Sequence, residues 1–423
     1  MKITYKDYGA YRLHFHNIDK FKSTIVKIKI KEPIKKENIT KRNLLFDILF
    51  AGSKEYPSER KISIKQEELY DAFLYHNTNR EGNYLSTTIS LEVLDDKYTE
   101  KNNLEESIKF LSELLLNPLV VNNSFDQSKV QLYKTKYKDD LQTVKENPRF
   151  YASFRSSEEH SKNSVTSLRT FGYIEDIDEI DENNLYEYYD SIIKNDLIDI
   201  FVVGNIGLKE ATEYIKKYFK ELNIVKRLTN NYIVKDNKKV SNKKYIESIP
   251  NEQSILVMTY SFNRLDYIER YYTSILLSII LGGSPTSKLF QEVREKNSLC
   301  YFINAQYRIL DGNIKIYSGI DKDNFKKVKN LINKVINQMK KNNITDEDIN
   351  NAKTLILNDY ETIDESLHTI CNYLNSVNII GAKEIDESKQ IIDNIKKKNI
   401  LKLVKKMKLD SIYFLAGDKN EWN

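Results

Sequence analysis

Several residue types that would narrow the function at once are scarce in this chain. Cysteine occurs twice in 423 residues, as Cys300 and Cys371, too widely spaced for a disulfide framework or a C-x-x-C metal pair. Such usage suits a reducing compartment. Histidine occurs five times. His14 and His16 can share one face of a strand, but His76, His160 and His368 are solitary, so no histidine-rich metal centre is expected. A dominant charge sign is also missing, since 66 basic residues against 61 acidic ones leave a net charge of +5, with both signs spread along the whole length. Nucleic acid is therefore not an expected partner. The basic clusters at 396–398 and 405–408 alternate with aliphatic residues at near-helical spacing, which reads as the solvated face of a helix. Long hydrophobic runs are missing too. The longest, Ile275 to Leu281, contains Ser278 and is far shorter than the ~20 residues a membrane-crossing helix needs. Met1 to Arg12 has no apolar stretch of the kind a secretion signal requires, so no membrane partner and a cytoplasmic location are expected.

What is present is enough for a large core. The chain is 40% apolar and 11% aromatic, and it exceeds the ~250–300 residues at which a single core stops growing. Two domains, or one duplicated architecture, are expected.

Comparison of the two halves favours duplication. In the first, Thr24 to Ile30 alternates, with Ile28 and Ile30 facing one way and Lys27 and Lys29 the other. A helix follows over 38–50 and closes at Gly52; another is predicted near 66–76. Then come a half-buried strand over 84–94, a helix through Leu104, Ile108, Leu111 and Leu115, a long helix over 125–144, and a strand over 199–203. The second half repeats the order, with a strand over 254–260 and a helix over 268–281 ending at Gly282 and Gly283. Ser284 as N-cap and Pro285 in the first turn predict a further helix over 286–296. Strands over 300–307 and 314–320, a helix over 324–339 and a last strand over 411–416 complete it. The Asn- and Lys-rich stretch 226–244 reads as a linker between domains 1–225 and 245–423. Strands and helices mixed without strict alternation indicate an α+β fold, one sheet per half with helices packed on it.

One segment is far more specific. Leu281-Gly-Gly-Ser-Pro-Thr-Ser-Lys-Leu-Phe-Gln-Glu-Val-Arg-Glu-Lys-Asn-Ser-Leu-Cys-Tyr301 resembles the second-domain signature of the pitrilysin and insulinase superfamily, which includes the mitochondrial processing peptidases. Phe21-Lys22, Gly52 with Tyr56-Pro57-Ser58, and Val202-Val203-Gly204-Asn205 are similar to further elements of that family, so the resemblance spans nearly the full length. It is strongest to short, zinc-less bacterial members. It implies two homologous roll domains, each a mixed sheet with helices, forming half of a clamshell in which paired subunits enclose a peptide.

Active members carry H-x-x-E-H on the first long helix, where residues at i and i+4 hold one zinc and the intervening glutamate deprotonates the metal-bound water. With Phe50 and Gly52 as anchors, Asn43 and Asp47 stand at the histidine positions and Phe46 at the general base. Asn43 is a poor zinc ligand and Phe46 cannot take a proton. The nearest candidates for the family's third ligand are Asp139 and Asp140. No metal or other cofactor is therefore expected on this chain. By contrast Arg294 and Tyr301 match an arginine and a tyrosine that, in the family, contact the substrate near its scissile carbonyl, and Gly282, Gly283 and Ser284 match its substrate-side turn. The family often has glycine where Ser298 stands.

The resemblance thus implies a zinc-less subunit that pairs with an H-x-x-E-H-bearing homologue, which holds the zinc, and that lends Arg294 and Tyr301 to hydrolysis of an extended peptide. Some paired members process precursor or leader peptides. The alternative is a noncatalytic structural or peptide-binding scaffold of the same fold. A phosphate loop at 282–288 is disfavoured because the Gly-Lys-Ser/Thr ending is missing.

Overall fold

A computed structural model describes residues 4–100, 102–222, 231–234 and 242–418. Its strands are β1 (Thr4–Asp7), β2 (Tyr11–Asn17), β3 (Ser23–Pro33), β4 (Phe73–Glu81), β5 (Tyr84–Leu94), the short hairpin β6 (Val120–Val121) and β7 (Ser124–Phe125), β8 (Leu197–Gly204), β9 (Lys243–Ile249), β10 (Ser254–Phe262), β11 (Phe302–Arg308), β12 (Asn313–Ile320) and β13 (Met407–Gly417). The first-half helices are α1 (Lys36–Leu49), α2 (Glu59–Glu68), α3 (Asn103–Leu116), α4 (Gln127–Gln142), α5 (Pro148–His160), α6 (Glu182–Asn195) and α7 (Leu208–Tyr218). Those of the second half are α8 (Ser274–Ser278), α9 (Phe325–Lys340), α10 (Asp346–Glu361), α11 (Leu367–Ile380), α12 (Ile385–Asn394) and α13 (Lys397–Lys406).

The strands form two mixed sheets, ordered β1-β2-β8-β3-β5-β4 and β11-β12-β10-β13-β9. Read from its far edge, the second repeats the first. The pair β9 and β13 is parallel, as β2 and β8 are. Next, β10, β12 and β11 run antiparallel in turn, as β3, β5 and β4 do. The fold is α+β, and the duplication inferred from the halves is visible as strand order, with β1 an addition to the first sheet.

Alternation along β3 sets its two faces. Val26, Ile28 and Ile30 enter one core with Leu44, Leu45, Phe46 and Leu49 of α1 and Leu104, Ile108, Leu111 and Leu115 of α3. The opposite face is covered as well. Ile25, Phe201 and Val203 pack with Leu367, Ile370, Cys371 and Leu374 of α11. Ile255 and Val257 of β10, with Tyr413 and Leu415 of β13, likewise pack with Tyr151 and Ala152 of α5. Each fully buried aliphatic side chain in these layers is worth about 1.5–3 kcal/mol, enough to hold a helix on the sheet's second face.

That demand alters the domain boundaries. Contiguous domains 1–225 and 245–423 were expected, but the compact units are discontinuous. The first comprises Met1–Gln142, Arg169–Tyr232 and Ile363–Ala382, and the second Thr143–Leu168, Ile233–Thr362 and Lys383–Asn423. Each unit takes its second covering helix from the other half of the sequence. Of the expected linker, residues 226–230 and 235–241 lie outside the described residues, while Tyr232 and Val234 are buried and β9 begins at Lys243.

Two local expectations are corrected, and one helix is added. The helix predicted near 66–76 is α2, which starts earlier because the Ser58 hydroxyl accepts from the Lys61 amide at 3.3 Å. It stops where Tyr70 and Asp71 take left-handed backbone (φ 60° and 57°), and β4 follows. The long helix expected over 125–144 is α4, and a separate helix that was not expected, α5, begins beyond it at Asn147-Pro148, where the Asn147 side chain accepts from the Phe150 amide at 3.0 Å. The helix over 286–296 starts late, and its body is a wide π turn, Phe290–Glu295.

Candidate functional site

Helix α1 turns Asn43, Phe46 and Asp47 toward neighbouring positions, as the i, i+3, i+4 spacing requires. None is arranged for a metal. The Asn43 amide nitrogen donates to the carbonyls of Ile39 and Thr170, both at 2.9 Å, which ties the side chain to its own helix and to the loop before α6. Phe46 is 1% exposed and belongs to the core, with the Arg42 guanidinium 5.6 Å from its ring centre. Asp47 stands 3.7 Å from Nε2 of His76 on β4, too far for a hydrogen bond. Burial, reinforced by the negative charge of Asp140, pushes the Asp47 carboxyl up to about 7 despite Lys136. Burial alone pushes the His76 imidazole down to about 4. A neutral imidazole therefore faces a half-protonated acid at neutral pH.

Of the two candidates for a third ligand, Asp140 is the one whose charge reaches Asp47. His76, solitary in sequence, is brought here by β4, its ring tilted against that of Phe50 with centroids 5.0 Å apart. Even so, among the described residues no group of three or more His, Cys, Asp or Glu side chains is placed to hold a metal ion. A zinc ion does not fit a site whose first position is a donating amide and whose base position is a core phenylalanine.

The segment from Gly282 to Tyr301 is built differently. Gly282 lies flush against β11, where a Cβ would fall 2.8 Å from the Ala305 amide nitrogen, so packing demands the glycine. Gly283 is exposed, and the Ser284 hydroxyl lies 3.1 Å from that of Thr286. Ser284 is thus no N-cap of the expected kind, because the chain makes a turn over 285–287 before it winds. Arg294 is exposed on the π turn, its guanidinium 4.9 Å over the Phe290 ring. Tyr301 is 59% exposed just before β11, its backbone amide bound to the Gly319 carbonyl at 2.8 Å. Its hydroxyl donates to Asp321 Oδ1 at 2.9 Å, and that hydrogen bond raises its pKa.

Arg294 and Tyr301 stand at the same end of β11, since the guanidinium charge reaches Cys300, the residue before Tyr301. The turn joining them is closed by Ser298, whose amide donates to the Arg294 carbonyl at 3.0 Å. Ser298 adopts φ 50°, the left-handed conformation that glycine takes most readily, so the departure from glycine keeps the turn. Neither side chain is consumed by the interior. Arg294 forms no ion pair among the described residues, and Tyr301 does not pack in the sheet.

Known proteins resemble this chain along most of its length. The model described as "Peptidase M16 inactive domain" matches residues 179–356. The "Probable inactive metalloprotease YmfF" of Bacillus subtilis (strain 168) is 29% identical over 416 residues, covering 97% of this chain and 96% of that protein. The "Uncharacterized zinc protease YmxG" of the same strain is 22% identical over 302 residues, covering 65% and 71%. The crystal structure of a conserved protein from Enterococcus faecalis V583 superposes with a TM-score of 0.88 at 24% identity, covering 97% of each chain. In the matched model and in the end-to-end relative alike, the chain is similar to the M16 (pitrilysin/insulinase) peptidases and to their inactive domain, and it shares their fold.

Proposed function

We propose that this chain is the zinc-less subunit of a two-subunit metallopeptidase. It pairs with a homologue bearing H-x-x-E-H, helps bind an extended peptide, and presents Arg294 and Tyr301 to the scissile carbonyl. The observation that carries the reading is an asymmetry. The positions that would hold metal and base are filled by a committed amide, a core ring and a half-neutral acid, whereas the two donors of the second unit are exposed. A guanidinium and a phenol both donate hydrogen bonds, and such donors stabilise charge that develops on a carbonyl oxygen when water attacks. The relatives supply support in kind, since one organism carries both a protein named as an inactive metalloprotease and one named as a zinc protease.

A second reading, a scaffold that holds peptide without taking part in cleavage, is favoured by the bond that already commits the Tyr301 hydroxyl to Asp321. The two readings separate in one experiment. The chain is mixed with an H-x-x-E-H-bearing homologue from its own organism, and cleavage of an unstructured peptide is followed. The mixture should cleave and the separate chains should not. Arg294→Ala should lower kcat by about 100-fold, the usual cost of removing one donor to a developing oxyanion, with Tyr301→Phe in the same direction. Full activity of the homologue alone, or undiminished activity with both variants, would establish the scaffold.

A further inference from the structure

Beneath α11, the second face of the first sheet carries three lysines on one strand. Lys27, Lys29 and Lys31 are 4%, 9% and 0% exposed. Buried cations are normally paired, and two of these are. Lys31 binds Asp199 at 3.0 Å and lies 3.6 Å from Glu81. Lys29 binds Glu81, which also accepts from Asn375 at 3.0 Å. Asp199 is shared with His14 at 3.0 Å. Glu92, the remaining carboxylate of this face, accepts from Ser23 at 2.6 Å and meets His368 at 3.2 Å. Every carboxylate is spoken for, and Lys27 has none among the described residues. Its electrostatic neighbours are the buried thiol of Cys371 and the Lys29 ammonium.

Lys27 lines a cavity of about 220 Å³ whose other walls are mostly hydroxyls and amides, together with Tyr75 and the Lys29–Glu81 ion pair. Strand register explains why, since Lys27 lies opposite Ser90 and Ser90 opposite Tyr75, while the next row is Lys29, Thr88 and Asn77. One row further, Lys31 is followed by Ser86 and Asn79. The mouth is formed by the exposed amides of Asn77, Asn79 and Asn372. Ser86, 1% exposed, lines the cavity with a hydroxyl that has no hydrogen-bond partner among the described residues.

We propose that this cavity is a carboxylate-binding subsite, with Lys27 as its cation and the surrounding hydroxyls and amides as its neutral donors. Its ligand is a carboxylate of an extended peptide, either an acidic side chain or a free C-terminus. The assignment of a peptide as bearer rests on the function proposed above; the chemistry of the pocket does not. Burial lowers the pKa of the unpaired ammonium, and an arriving carboxylate would reverse that shift.

The test begins with a small probe on the full chain carrying 13C-lysine, where the Lys27 13Cε resonance is assigned by its loss in Lys27→Met. N-acetylglycine should shift this resonance saturably and N-acetylglycine amide should not. An equal response to both, or no response, overturns the proposal. Next, binding of a fluorescent peptide with one Glu and an amidated end is compared with its Gln form, amidated and with a free C-terminus. An advantage of about 10- to 100-fold for one carboxylate-bearing form identifies the source, and that advantage should vanish in Lys27→Met. Asn77→Asp, which sets a carboxylate at the exposed mouth, should abolish it without touching the core. If the probe titrates Lys27 but no peptide binds, the pocket stands and the peptide-processing reading fails. If all peptides bind alike and Lys27 does not respond, the reverse holds.

Discussion

The two sheets share a strand order but treat a buried lysine in opposite ways. Lys315 on β12 is 5% exposed beneath α5, and its ammonium is held by the hydroxyls of Ser156 and Ser157 at 3.1 and 2.6 Å. Lys27 on β3 is 4% exposed beneath α11, and among the described residues no hydroxyl or carboxylate is bonded to it. Equivalent layers thus contain one cation whose charge is spent on structure and one whose charge is left for something else.

Removing these charges one at a time sharpens the contrast. Lys31→Met should be the most damaging, about 3–5 kcal/mol by urea unfolding, because it strands Asp199 and Glu81 in a buried site. Lys315→Met should cost less, about 1–3 kcal/mol, since it takes the cation from the hydroxyls of Ser156 and Ser157 and strands no buried carboxylate bonded to it in the way Lys31 holds Asp199. Lys27→Met should cost nothing and can stabilise, for it removes a desolvated charge that has no partner. If Lys27→Met destabilised as much as Lys31→Met, the contrast between the sheets would be broken.

A smaller effect concerns pH. With its folded pKa raised to about 7 against an ordinary value near 4, Asp47 holds a proton across that window after the unfolded chain has released it. Stability therefore falls as pH rises from about 4 to 7. His76, lowered to about 4, acts the other way, and its contribution is lost as pH falls from about 6.5 toward 4. Asp47→Asn should flatten only the first trend, which denaturation at pH 5 and pH 8 can check. Smallest of all, Arg294→Ala and Tyr301→Phe should leave the unfolding midpoint unchanged, because both side chains lie on the surface.

How much of this was legible varies by residue. Alternation placed Ile28 and Ile30 opposite Lys27 and Lys29 correctly, because a strand's faces are set by period two alone. That the lysine face is buried was not legible, since its cover arrives more than 300 residues later in α11. That helix is not among those expected from the sequence at all, although Ser366 caps its start and Gly381 ends it in left-handed conformation, and nothing local says which sheet it joins. Asn147-Pro148, where α5 begins, is likewise not among the helix starts expected. Tyr70 and Asp71 gave no warning of left-handed backbone, so the end of α2 and the start of β4 were misjudged and His76 was left far from Asp47. Spacing alone put Asn43, Phe46 and Asp47 on one helix; only the packed structure shows that Asn43 is tied down and that Asp47 is held partly neutral.

The exchange of α5 and α11 between sheets bears on how the chain is made. A ribosome adds about 5–20 residues per second, so the first sheet's strands emerge many seconds before residues 367–380 exist to cover them. Until then Ile25, Phe201 and Val203 face water or a chaperone. Residues 148–160, in turn, wait as an orphan helix for a sheet not yet translated. A nascent chain cut near residue 230 would hold a complete sheet with one naked side, which makes the first half a client for protection during synthesis and not a domain that folds on emergence.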